Sequence, residues 1–388
     1  MTETPRSTLA PRRLRRPGRL GRVFTAALVA VVIVLASFGV AEYLQSSLGE
    51  PTLVVYTYSS LFGGSGTAAF DAVFDPFESA HHVHIDVEYP PGTLASTLLA
   101  QANAPAADLV IGLDEITAPE AESYHLLTPY APPDLANVSG ELVDEISPDD
   151  AVVPYEYGYL AIDYNLSFWT ATHGAIAKAT FPEFATNASW ARQLLIEDPT
   201  VDITGEEFLA WQIEYYANVL HQNWTTFWKE VMPNLEYKPA PDWATAFTEF
   251  TTAPENPSMV VSYSTDPAYA AFYNESGQYN STVTWWNGTA YGWRTIYGIG
   301  IVAGSRHLAL DEAFENWFLS AAVQSQVPAN EWEYPANDTI GVPSVYDAAI
   351  DPSTIVPLND ATSPANLAAS IGGWVTEYQE LADQYLPP

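Results

Sequence analysis

Residues 51–114 read PTLVVYTYSSLFGGSGTAAFDAVFDPFESAHHVHIDVEYPPGTLASTLLAQANAPAADLVIGLD, and this stretch decides the fold. Leu53-Val54-Val55-Tyr56-Thr57-Tyr58 is rich in β-branched and aromatic residues and reads as a buried strand. A Gly/Ser loop follows at Leu61–Gly66. Thr67 to Ala80 reads as a helix, because Phe70, Val73, Phe74 and Phe77 recur at helical spacing. His84 to Tyr89 is a second strand, Leu94 to Ala102 a second helix and Asp108 to Leu113 a third strand. The order β-α-β-α-β indicates an α/β fold with a largely parallel sheet.

The remainder continues in kind. Ala151–Tyr164 holds a strand-like stretch, Met259–Tyr263 is a short strand and Ile296–Val302 another. Helices are expected at Ser189–Leu195, Glu206–Leu220, Leu310–Ala321 and Pro364–Tyr385. No repeat of 20 to 50 residues is present. In an open α/β sheet a ligand sits beyond the carboxyl ends of the strands. Thr57–Gly66, Asp114 and Ser262–Tyr269 all follow strands and therefore mark a candidate site.

Charge is unevenly placed. The 388 residues carry 13 Lys and Arg against 47 Asp and Glu, a formal net charge of −34. Arg6, Arg12, Arg13, Arg15, Arg16, Arg19 and Arg22 sit at the start, leaving Lys178, Arg192, Lys229, Lys238, Arg294 and Arg306 for the rest. Nucleic acid is a poor partner for so acidic a body, since phosphate binding needs a basic surface. The absence of cysteine excludes disulfides, thiol catalysis and lipid attachment through a lipobox cysteine.

Residues 1–22 read as a basic cytoplasmic N-terminus. Within 23–44, the uncharged run Val23–Val40 would rise about 27 Å as a helix, close to the bilayer core. With arginines before it, the run reads as an uncleaved transmembrane anchor with the remainder outside. A cleaved signal ending near Gly39-Val40-Ala41 is the competing reading. Eight Asn-x-Ser/Thr sites, at Asn137, Asn165, Asn187, Asn223, Asn274, Asn280, Asn287 and Asn337, fit an exported, glycosylated, archaeal surface protein.

Three segments carry a family resemblance: VVYTYSS at 54–60, ADLVIGLDE at 107–115 and VPYEYGYLAIDYN at 153–165. They resemble, in order, the VYTYDS, ADVVLGLD and VPFDYGYFAF segments of the thiamine-binding proteins of bacterial ABC importers. Glu197-Asp198-Pro199 resembles a DPR-type segment, VSYSTDPAY at 261–269 resembles LSYTTSPAY, and NEWEYP at 330–335 resembles NWMYP. The resemblance covers roughly residues 52 to 385. It implies a two-lobed type II periplasmic binding protein fold, each lobe a mostly parallel sheet flanked by helices. Lobe 1 would comprise 51–155 plus 292–388, and lobe 2 residues 156–291. It further implies capture of thiamine without chemistry, no cofactor, and delivery to a permease and an ATPase.

By the same resemblance Tyr58, Trp243, Tyr263, Tyr269 and Trp332 match ligand-contacting aromatics. Thiamine pairs a permanently charged thiazolium with a flat aminopyrimidine, and aromatic faces attract such a cation by about 0.5–2 kcal/mol each. Three departures stand out. The family's acidic residue before a glycine is here Pro91-Gly92, with Glu88 or Asp114 as replacement carboxylates. The loop Leu61–Gly66 lacks the family's tryptophan. The position that faces a ligand phosphate falls near Asp202, whose charge would favour free thiamine over its phosphates.

Rival readings carry less. Ferric iron would need adjacent tyrosines near 263, but Tyr263 and Tyr269 are six apart, and the adjacent pair Tyr215-Tyr216 falls within a helix. Another small organic cation, such as a polyamine, is the other alternative. His81, His82 and His84 read as a solvated turn rather than a metal site. GxSxG, HExxH and P-loop patterns are absent, and the glycines 298, 300 and 304 miss the dinucleotide fingerprint by one residue, so an enzyme is not expected.

Overall fold

The computed structural model describes residues 50–169, 176–252, 257–274 and 278–387. The expected N-terminal anchor lies outside the described residues. Among them, no helix is long and apolar enough to cross a membrane.

The opening β-α-β-α-β pattern forms as read. Strands β1 (Thr52–Tyr56), β2 (His84–Glu88) and β3 (Leu109–Asp114) pair in parallel in the order β2-β1-β3. Helix α1 (Ala68–His81) starts where the Thr67 hydroxyl accepts from the Phe70 N–H, and it buries Phe70, Val73, Phe74 and Phe77, the residues at helical spacing. Helix α2 (Leu94–Ala100) is capped in the same way by Thr93. His81, His82 and His84 are exposed at the turn between α1 and β2.

Two long strands run between two cores. Strand β4 (Val153–Asn165) pairs antiparallel with β8 (Arg294–Val302) over Val153–Tyr159. Beyond Tyr159 it pairs with β6 (Met259–Tyr263) and β7 (Tyr279–Thr282), and the short β5 (Leu194–Leu195) adds in parallel to β6. Its Tyr155 belongs to the first core, with Leu53, Leu109, Phe77 and Phe318. Its Leu160 and Ile162 belong to the second, with Phe181, Phe208, Trp211 and Trp228. Strand β8 crosses likewise, with Ile296 and Ile299 in the first core and the adjoining Trp293 in the second. The result is the two-lobed α/β architecture expected from the sequence. Gly298 and Gly300 lie in β8 as a packed strand, and a Cβ at Gly298 would stand 2.9 Å from Ile146 Cδ1.

Four expectations differ. The sheet is mixed rather than mostly parallel in each lobe: β8 runs antiparallel to β3 and β4, and β4 runs antiparallel to β6 and β7, because β4 and β8 pass between the two cores. Ser189–Leu195 is one helical turn, Ala188–Ala191, followed by strand β5, because Leu194 and Leu195 are buried by pairing with β6. Glu206–Leu220 begins earlier, as α3 (Ile203–Glu214), and ends in a π-helical turn at Tyr215–Leu220. The C-terminal helix α6 (Pro364–Tyr385) is expected with 292–388 in lobe 1, but its stripe Leu367, Ile371, Tyr378 and Leu381 packs into the second core. There the Tyr378 ring meets Trp228 edge-on at 4.8 Å.

Candidate functional site

A cleft of about 510 Å³ opens where β1, β3, β4, β6 and β8 end or cross, and Tyr58, Asp114, Asp202, Trp243, Tyr263, Tyr269 and Trp332 all line it. That volume lies within the range of about 300–1,000 Å³ usual for small-molecule sites. The side chains come from both lobes, so a ligand here would touch both.

Tyr58 follows β1 and lies over Gly112 of β3. Gly112 has φ +101, and a Cβ there would sit 2.6 Å from the Tyr58 ring, so the ring's seat exists because position 112 is glycine. The Tyr58 hydroxyl is 2.7 Å from that of Tyr155, 2.9 Å from Glu331 Oε2 and 3.3 Å from Glu156 Oε1. Glu331 also accepts from the Phe62 N–H. Burial, then the Glu156 and Glu331 carboxylates, pushes the Tyr58 phenol well up. Burial and Glu331 do the same to the Glu156 carboxyl, and burial raises Glu331 to about 7.

Across the cleft, Trp243 opens helix α4 (Trp243–Thr252), stacks on Phe247 at 5.1 Å and donates its indole N–H to Ser262 Oγ at 2.9 Å. Ser262 in turn donates to Asp266, which also accepts from the Tyr263 N–H at 3.1 Å. This chain fixes the indole at the end of β6. Tyr263 meets Trp243 at 5.9 Å, and its hydroxyl contacts Thr204 at 3.2 Å and Tyr297 at 3.1 Å. Tyr297, on β8, lies 6.0 Å from the Tyr58 ring, so an aromatic path joins the two lobes. Tyr269, on helix α5 (Asp266–Phe272), meets Trp332 edge-on at 5.3 Å.

Of the two carboxylates expected in the site, Asp114 is buried and Asp202 half-buried. Asp114 Oδ1 accepts from the N–H groups of Ile116 and Thr117 and from the Thr117 hydroxyl, while Oδ2 has no partner; burial raises its pKa to about 6. Asp202 caps α3, accepting from the Gly205 N–H at 3.2 Å, and burial raises it to about 6 against that bond. Glu88, the other candidate replacement, ends β2 and does not line the cleft. Gly92, which follows the substituted Pro91, does.

Sequence reasoning missed Glu156, Asp266, Tyr297, Glu331 and Glu333, all of which line the cleft. The signal for the last two was their place on either side of a matched tryptophan. Among the described residues no Lys, Arg or His lines the cleft. The Tyr215-Tyr216 pair is buried in the second core. Among the described residues Glu141, Glu145 and Asp360 could together hold a metal ion, but Arg294 already pairs with Glu141 at 3.2 Å and Glu145 at 3.1 Å.

No family model matches the chain. The thiamine-binding periplasmic protein of Brucella suis biovar 1 is 25% identical over 355 residues, covering 89% of this chain and 97% of its own. That of Escherichia coli K12 is 24% identical over 338 residues, covering 85% and 93%. The chain is homologous to thiamine-binding periplasmic proteins. Among solved structures, a periplasmic thiamin binding protein superposes with a TM-score of 0.70 at 21% identity, covering 86% of this chain and 96% of its own. Iron-bound HitA from Pseudomonas aeruginosa superposes with a TM-score of 0.64 at 17% identity, covering 86% and 99%. Both likenesses show the periplasmic binding protein fold.

Proposed function

We propose that the chain is the extracytoplasmic solute-binding subunit of an ABC importer and that it captures thiamine in this cleft without chemistry. The observation that carries the reading is the lining itself: aromatic rings from both lobes and several buried carboxylates, with no basic side chain among the described residues. Such a surface suits a flat organic cation, whose charge meets π faces and carboxylates and whose ring stacks. Homology to proteins named for thiamine binding selects this cation among others.

The aromatic contacts are assigned to Tyr58, Trp243, Tyr263, Tyr269 and Trp332, with Asp114 and Asp202 contributing negative charge. Closure of the lobes about β4 and β8 then shifts the population toward a form that the permease recognises. Lobe 1 takes residues 51–155 with the earlier part of 292–388, and lobe 2 takes residues 156–291 with the C-terminal helix and the segment before it, whose Ile355 and Leu358 lie in the second core and whose Ile355–Pro357 pairs with Ala290–Gly292. Residues 23–44 would hold the body near its permease and raise its effective concentration.

Ferric iron fits less well. The adjacent tyrosines are in the core, and burial pushes the cleft phenols of Tyr58, Tyr263 and Tyr297 up, away from the phenolate that iron requires. Thermal unfolding with thiamine, ferric citrate and spermidine in parallel tests the choice. Thiamine is expected to raise the melting temperature at micromolar concentration. Stabilisation by iron or spermidine with none by thiamine would refute it.

A further inference from the structure

Glu331, Trp332 and Glu333 are consecutive, yet all three line the cleft. An extended chain would send alternate side chains to opposite faces. The break in alternation falls at Trp332, whose φ of +61 is unusual for a non-glycine residue. Such backbone costs of order 1–3 kcal/mol and persists where the surroundings hold it. Here it turns two carboxylates and an indole toward one space.

The two carboxylates differ in what they are given. Glu331 is held by the Phe62 N–H and the Tyr58 hydroxyl. Asp114, Asp202, Asp242 and Asp266 likewise each have an oxygen bonded to a protein donor, although Asp114 Oδ2 is itself unpaired. Glu333 is 6% exposed, and its Oε2 is buried with no hydrogen-bond partner. Burial and then the Glu156 and Asp266 carboxylates push its pKa well up, while the Thr265 hydroxyl pulls the other way.

Room for this carboxyl group is built into β4. The short pairing of Tyr334 with Tyr157 and of Pro335 with Glu156 places Glu333 against Gly158. A Cβ at Gly158 would stand 2.7 Å from Glu333 Cδ and 3.0 Å from Oε1. Position 158 is thus open where the carboxyl group sits. A buried carboxylate with an unpaired oxygen is unfavourable until a positive charge reaches it, and among the described residues no side chain lining the cleft carries one.

We propose that Glu333, seated against Gly158 beside Trp332, is the counter-ion for the positive centre of the bound ligand. This deepens the reading of the cleft as a cation site and rests on it, but not on thiamine in particular. Gly158 is then a positioning residue and Glu333 a binding residue. A cation at this point would have the Trp332 indole and a carboxylate for neighbours.

The test is calorimetric titration of the full chain in detergent, wild type against Glu333→Gln and Gly158→Ala. The probes are thiamine, choline, spermidine and a neutral thiamine analogue with thiophene in place of thiazolium. Glu333→Gln keeps shape and removes charge, so it is expected to melt at or above the wild-type temperature. It should weaken the preferred cation at least thirtyfold, roughly what losing one partner of a buried charge pair implies, and the neutral analogue by less than about threefold. Gly158→Ala should weaken the same cation by displacing the carboxyl group. Tight thiamine binding unchanged in Glu333→Gln overturns the counter-ion role and leaves the thiamine reading intact, and equal losses for cation and neutral analogue overturn it in favour of a packing role. Choline or spermidine binding that needs Glu333, without thiamine binding, keeps the counter-ion and sinks thiamine. Wild-type protein that binds no cation sinks both.

Discussion

Replacing Asp202 with Asn removes one negative charge from the cleft and keeps the helix cap, because Asn and Asp cap helix N-termini about equally well. The carboxyl pKa is raised from 3.8 to about 6, first by burial, against the pull of the Gly205 and Trp243 N–H groups and with a push from Asp242. A raised carboxyl binds its proton more tightly in the folded chain than in the unfolded one. Its contribution to stability is therefore fully present below pH 3.8 and is lost as the pH climbs through about 6. A shift of about two units corresponds to a loss on the order of 3 kcal/mol by pH 8. Asp202→Asn should recover a stabilisation of about 2–3 kcal/mol at pH 8 and be nearly neutral at pH 4. Urea unfolding of ligand-free wild type and variant at pH 4, 6 and 8 reads this directly. Two unfolding curves displaced by the same amount at every pH, or a variant less stable at pH 8, would refute the reasoning.

Gly112→Ala should weaken thiamine binding by about tenfold or more, since a side chain at φ +101 is strained and its Cβ would displace the Tyr58 ring; titration of the variant checks it. Thiamine diphosphate should bind the wild type at least about tenfold more weakly than thiamine, because no cationic side chain among the described residues lines the cleft and Asp202 occupies the N-terminus of α3, and Asp202→Ser should narrow that gap. Of the eight sequons, Asn165 and Asn337 are buried, the latter donating to the Leu319 carbonyl, so glycopeptide mapping of protein from its native host should find both unmodified.

Local signals made much of the fold legible. Phe70, Val73, Phe74 and Phe77 specify one helical face, and Met259–Tyr263 forms a strand with the bounds read from its β-branched run. The helix Pro364–Tyr385 was also read to the residue, but not its lobe. An apolar stripe says that a helix packs, not against which neighbour, and here the neighbour is Trp228. Leu194 and Leu195 were misread as helical because two leucines suit either state until a partner strand is known. In the cleft, the matched aromatics Tyr58, Trp243, Tyr263, Tyr269 and Trp332 line one space. Glu331 and Glu333 did not declare themselves, because what turns them inward is a positive φ at Trp332, and what makes room for Glu333 is a missing Cβ on a strand far away in sequence.

Calorimetric titration of thiamine into the full chain, wild type beside Trp243→Ala and Trp332→Ala, tests the central claim most directly. The account predicts micromolar or tighter binding, weakened in each variant by roughly threefold to thirtyfold, as the loss of about 0.5–2 kcal/mol of cation–π attraction implies. Absence of heat in the wild type, or full affinity in both tryptophan variants, would contradict it.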